Sequence, residues 1–115
     1  MIKNKELYEK VTETCYDLQL SYYPKLLLVS IVYRKIRYPK ESINEVMLKV
    51  TKTIVPEQYI KHKRKKQFMA ISPEKELAML ERELHMCENI PVELLNGDII
   101  PNTIEYYIKQ VIEKE

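Results

Sequence analysis

The run KLLLVSIVYRKIRY, residues 25–38, is compatible with two structures, and the choice between them sets the class of the whole molecule. Leu28, Ile31, Val32 and Ile36 recur at helical spacing, while Val29, Ile31, Val32 and Tyr33 are residue types that a buried strand uses equally well. Two features favour the helix. The run is longer than an ordinary strand. Pro24 stands at its start, where a missing N–H costs nothing in a first helical turn. The expectation is a central, buried helix.

Upstream, Tyr8, Val11, Cys15, Leu18 and Tyr22 recur at alternating steps of three and four, a narrow amphipathic seam of coiled-coil type. Asn4 is placed to cap this helix, with Glu6 near its positive end. Tyr23 should close it, because the residue before a proline avoids helical geometry. Downstream, Tyr38-Pro39 breaks the chain and Ser42 with Glu45 forms a capping box. Ile43, Val46, Met47, Val50 and Ile54 share one face of a third helix, which Val55-Pro56 is expected to close. A basic helix would then run from Glu57, with Ile60, Arg64, Gln67 and Ile71 on one face and Phe68 beside them. Arg64 interrupts that apolar stripe, so either its stem lies along the core edge or the helix frays over 61–66.

Ser72-Pro73-Glu74 is a strong helix start, combining a capping hydroxyl, a first-turn proline and an acid at the positive end. Leu77, Leu80, Leu84 and Cys87 form a second seam flanked by Met79 and Met86, and Ile90-Pro91 stops it. In PVELLNGDIIP, residues 91–101, Asn96-Gly97 signals either a short hairpin or a helical turn ended by Gly97. Two such short strands would be marginal alone, which favours the turn. Asn102 with Glu105 opens a last helix whose inner face is Ile104, Tyr107, Ile108 and Val111.

The chain has 115 residues, 45% of them apolar and only one a glycine. Few glycines mean few left-handed turns, so helices joined by Pro and Asn are favoured over tight hairpins. No repeat or linker divides the sequence. The expected fold is all-α, a compact bundle of five or six helices in a single domain over 1–115, with a short hairpin or helical turn near 91–101. The start, MIKNKELYEK, lacks the apolar stretch of a signal peptide. The longest nearly apolar run, Leu26 to Tyr33, is far too short to span a bilayer, so no membrane association is expected. Cys15 and Cys87 are isolated thiols, expected to be reduced and buried in a cytoplasmic protein.

The net charge of +2 conceals a strong asymmetry: residues 1–20 sum to −1, 21–71 to +9 and 72–115 to −6. The basic middle peaks at YIKHKRKKQFMAI, residues 59–71, where Lys61, Lys63, Arg64, Lys65 and Lys66 cluster beside Tyr59. Such a cluster displaces counterions from a nucleic-acid backbone and binds without reading sequence. Arg34, Lys35 and Arg37 are candidate supports, and Tyr33, Tyr38, Tyr59 and Phe68 could stack on unpaired bases if exposed. The blander explanation is a solvated helix face, or internal neutralisation by the acidic C-terminal third. Helix 43–54, a joint at 55–56 and a basic helix from 57 also have the order of a helix-turn-helix, though the charge falls late for base reading.

Other chemistries find little footing. His62, His85, Cys15 and Cys87 are the metal candidates; Glu81 and His85 share a helix face, but Cys87 points elsewhere and no second ligand pair follows. Glu74, Glu81 and Glu88 repeat every seven residues, as a charged helix face does. Cysteine–histidine catalysis lacks an identifiable partner, and no Gly-rich loop cradles a nucleotide. No enzyme activity and no cofactor are expected. The sequence points to a small DNA- or RNA-binding or regulatory protein contacting phosphates through its basic segment. The alternative is a helical interaction module, either a homodimer through its two seams or an adaptor on an acidic protein partner.

Overall fold

The structure is a computed structural model and describes residues 4–62 and 73–113. Five helices follow one another: α1 (Asn4–Thr14), α2 (Tyr22–Arg37), α3 (Ile43–His62), α4 (Pro73–Met86) and α5 (Ile99–Glu113). A short 3₁₀ turn, Val92–Leu95, precedes α5, and no strand occurs among the described residues.

The run over 25–38 is helical and central. α2 packs against each of the other four helices. Its buried residues Pro24, Leu27, Leu28, Val29, Ile31 and Val32 spread over more than half the circumference, as a helix enclosed on several sides requires. Around it gather Leu7 and Val11 of α1, Val46 and Val50 of α3, Leu80 and Leu84 of α4, and Ile104 and Val111 of α5.

Tyr23 does not end the first helix. α1 stops at Thr14, where the Thr12 and Thr14 hydroxyls donate back to the carbonyls of Tyr8 (2.9 Å) and Lys10 (2.7 Å). Cys15 and Leu18 are buried in the turn that follows, not on a helix. Tyr22 and Tyr23 instead open α2. Ser21, extended at φ −61° and ψ 162°, is its N-cap residue, and the Ser21 N–H donates to Glu83 Oε1 of α4 at 2.7 Å. A carboxylate thus sits at the positive end of α2. Pro24, third in the helix, falls where no intrahelical N–H is required.

The capping bond expected at α3 is made, Glu45 N–H donating to Ser42 Oγ at 3.1 Å. The break at Val55-Pro56 is not: α3 continues through Pro56 to His62. An internal proline forfeits one helical hydrogen bond, and this long helix carries on past it. The helix-turn-helix order is therefore not realised, and Tyr59 to His62 are the last turn of α3 rather than part of a separate basic helix.

α4 opens at Pro73 as its signals indicate. The segment 91–101 is the helical turn, ended by Gly97 at φ 75°, a conformation that strains any residue with a side chain. α5 begins at Ile99, three residues before the expected Asn102 start. Pro101 sits inside its first turn just as Pro24 does in α2. Asn102 lies within the helix, and its side chain ties the preceding turn to it: Nδ2 donates to the carbonyls of Leu94 (3.3 Å) and Asn96 (2.6 Å), pinning the 3₁₀ turn to α5.

The two seams are consumed by the core. Val11, Cys15 and Leu18 are buried, as are Leu80, Leu84 and Cys87, and the helices that carry the seams pack chiefly on α2 and α5 rather than on each other. Their outer members behave differently: Tyr22 and Met86 are largely exposed. Cys15 and Cys87 are buried and not joined in a disulfide, and burial pushes the Cys87 thiol above its ordinary pKa. Buried Thr51 and Thr103 are satisfied by main-chain carbonyls one turn back. Glu76, only 4% exposed, is the buried carboxyl among the described residues, and burial raises its pKa. No described helix is long and apolar enough to cross a membrane.

Candidate nucleic-acid interface

The α2–α3 edge is where the described cations gather. Residues 34 to 52 contain six basic side chains, Arg34, Lys35, Arg37, Lys40, Lys49 and Lys52, against Glu41 and Glu45. Arg34, Lys35 and Arg37 occupy the last turn of α2, where positive charge complements the helix dipole. Tyr38 is its C-cap residue, and its N–H donates to the Arg34 carbonyl at 2.8 Å.

Glu41 organises the turn between the helices. Arg34 grips its carboxylate with two donors, Nε to Oε1 at 3.0 Å and Nη2 to Oε2 at 3.3 Å, and Lys49 reaches Oε2 from α3. Lys35 Nζ donates to the carbonyls of Pro39 (2.9 Å) and Glu41. The Arg34 hydrogen bond, and then that of Lys49, hold the Glu41 carboxyl below its ordinary pKa; the same pairing raises Arg34. Arg34 and Lys35, expected as supports for phosphate binding, thus also fasten the 38–42 turn.

Arg37 remains exposed and is bracketed by rings. Its guanidinium carbon lies 5.5 Å from the Tyr33 centroid and 5.3 Å from that of Tyr38, and its Nη1 donates to the Tyr33 hydroxyl at 3.3 Å. Arg34 lies 4.7 Å from the Tyr38 centroid. These are cation–π distances. Tyr33 in turn meets Tyr8 of α1 edge-on, with centroids 5.4 Å apart and planes at 78°.

Of the other expected residues, Tyr59 and Lys61 lie in the last turn of α3. Lys63, Arg64, Lys65 and Lys66 lie outside the described residues, as does Phe68. No sequence signal marks Glu41 as the anchor of three cations, although its spacing of seven from Arg34 follows once the chain folds back at Pro39. Tyr8 and Tyr22, which their spacing assigns to an inner seam, stand at the surface. The four-residue steps from Tyr33 to Arg37 and from Arg34 to Tyr38 are the legible sign of aromatic–guanidinium pairing.

Elsewhere among the described residues, two clefts carry more acidic than basic side chains. A cleft of about 420 Å³ on α1 is lined by Glu6, Glu9 and Glu13, and one of about 400 Å³ beside the 3₁₀ turn holds Glu93 and Glu105. Glu81 and His85 are exposed on α4 while Cys87 faces the core, and no three potential ligands gather into a metal-binding group among the described residues. The chain matches no protein-family model, no curated protein and no solved structure.

Proposed function

We propose that this protein binds nucleic acid by its phosphate backbone, through the α2–α3 edge together with Lys61, Lys63, Arg64, Lys65 and Lys66. The carrying observation is the excess of cations over residues 34–52, where Glu41 is already paired and Arg37, Lys40 and Lys52 stand exposed. Exposed, clustered cations gain affinity by releasing condensed counterions. Among the described residues α3 runs unbroken through the joint that a helix-turn-helix needs, which favours phosphate contact over base reading. Burial of the seam residues Val11, Cys15, Leu18, Leu80, Leu84 and Cys87 argues against a homodimer through the seams, whereas an adaptor on an acidic protein would use the same cationic edge.

Fluorescence anisotropy of labelled oligonucleotides across salt concentrations tests the proposal. Binding that weakens steeply with salt, and that is reduced in a Lys63→Ala/Arg64→Ala/Lys65→Ala variant of unchanged circular dichroism, supports it. No binding at about 50 mM salt, where phosphate contacts are strong, would overturn it.

A further inference from the structure

The Arg37 site is one end of a longer arrangement. On α2, Tyr22, Ser30, Tyr33 and Arg37 fall along a single stripe, with Leu26 completing its three- and four-residue steps. Tyr8 of α1 lies against the middle of it, edge-on to Tyr33; burial raises the Tyr8 pKa, and neighbouring Tyr22 adds to the rise. Tyr22 and Tyr23 meet at 5.2 Å between centroids. Tyr33, Arg37, Tyr38 and Arg34 then alternate ring and guanidinium to the end of the helix. From Tyr22 to Arg37 this covers about 22 Å at the helical rise.

We infer that this ribbon is a stacking platform for unpaired bases, so that the preferred ligand is a single-stranded nucleic acid. The inference rests on the phosphate-binding proposal and gives it a substrate class. Three features support the occupant. Tyr22, Tyr38 and Tyr8 are 65%, 42% and 37% exposed, so ring surface is available along the ribbon. The flanking side chains Lys35, Arg37 and Lys40 supply the charge that a backbone running beside those rings needs. Rings and guanidinium planes interleave here, and both stack on bases irrespective of sequence. A duplex hides its base faces in its own stack, so it could use the cations but not the rings.

The experiment compares an oligothymidylate of about 15 nucleotides with a hairpin duplex of equal phosphate number at one salt concentration. The chain has nine tyrosines and no tryptophan, so tyrosine emission reports stacking directly. Expected are tighter binding of the single strand and quenching of tyrosine emission by it alone. Tyr22→Ala and Tyr38→Ala each weaken single-strand binding roughly fivefold or more, with duplex binding unchanged. Tyr22→Phe, which keeps the ring, retains affinity and separates stacking from loss of fold. Equal affinity for both ligands, with the alanine variants without effect or weakening both alike, overturns the stacking platform while leaving phosphate binding intact. Absence of binding to either ligand at low salt removes both.

Discussion

Leu28→Ala is the sharpest probe of the central helix. Leu28 is fully buried in α2, the helix that touches all four others. Truncating such a leucine removes its transfer free energy and leaves a cavity, at a cost of roughly 2–5 kcal/mol according to how far the surroundings collapse. A helix enclosed on several sides collapses poorly, so the expected cost is about 3–4 kcal/mol. Unfolding entropy near 2.1 cal/mol/K per residue makes each kcal/mol worth about 4 °C for a chain of this length, so Tm should fall by about 12–16 °C. Leu48→Ala on α3 is the matched control: Leu48 is 51% exposed, and its loss should stay within about 0.5 kcal/mol. Urea unfolding followed by far-ultraviolet circular dichroism measures both under a two-state treatment. A difference between the two variants of less than about 1 kcal/mol would refute the placement of α2 at the centre.

Glu76 has a raised pKa, so its contribution is fully present below the unfolded carboxyl value near 4.3 and is lost as pH rises through the folded pKa. Glu76→Gln should therefore be more stable than the parent at pH 7, by about 1 kcal/mol, with the gap closing toward pH 4 in urea melts at each pH. Glu41 carries the opposite sign: its lowered pKa gives stability above the unfolded value that disappears as pH falls through the folded one. Glu41→Gln should lower Tm at pH 7 with the difference vanishing in acid, while tightening oligonucleotide binding by removing a negative charge from the cationic edge. Asn102→Ala leaves the Leu94 and Asn96 carbonyls without their donor and should cost about 1 kcal/mol, measured by thermal unfolding.

Much of this architecture is legible in the sequence. The all-α class, the helix over 25–38, the Ser42 cap, the Pro73 start and the Gly97 turn follow from local rules that tertiary structure does not override. Two misplaced boundaries share one cause. At Tyr23 and Val55 the local rule weighs what proline forbids, whereas a proline in a first turn, or within a long packed helix, is tolerated when surrounding bonds are kept. Ser21 held by Glu83, sixty-two residues away, supplies such a bond at α2, and no local pattern announces it. The start of α5 is misplaced for another reason: Asn102 with Glu105 has the spacing of a cap, but Asn102 lies inside the helix and donates to the preceding turn. The interface is half legible. The basic excess and the positions of Arg34, Lys35 and Arg37 can be read directly. Glu41 as the anchor of Arg34, Lys35 and Lys49, and Tyr8 brought from α1 onto Tyr33, depend on how helices meet.

The most direct measurement is the salt dependence of duplex affinity for the parent chain beside an Arg37→Ala/Lys40→Ala variant. About four or five phosphate contacts give a slope of log K against log salt near −4, and loss of two contacts should bring it to about −2 at unchanged circular dichroism. A parent slope near zero, or a variant slope equal to the parent's, would contradict the assignment of this edge to phosphate binding.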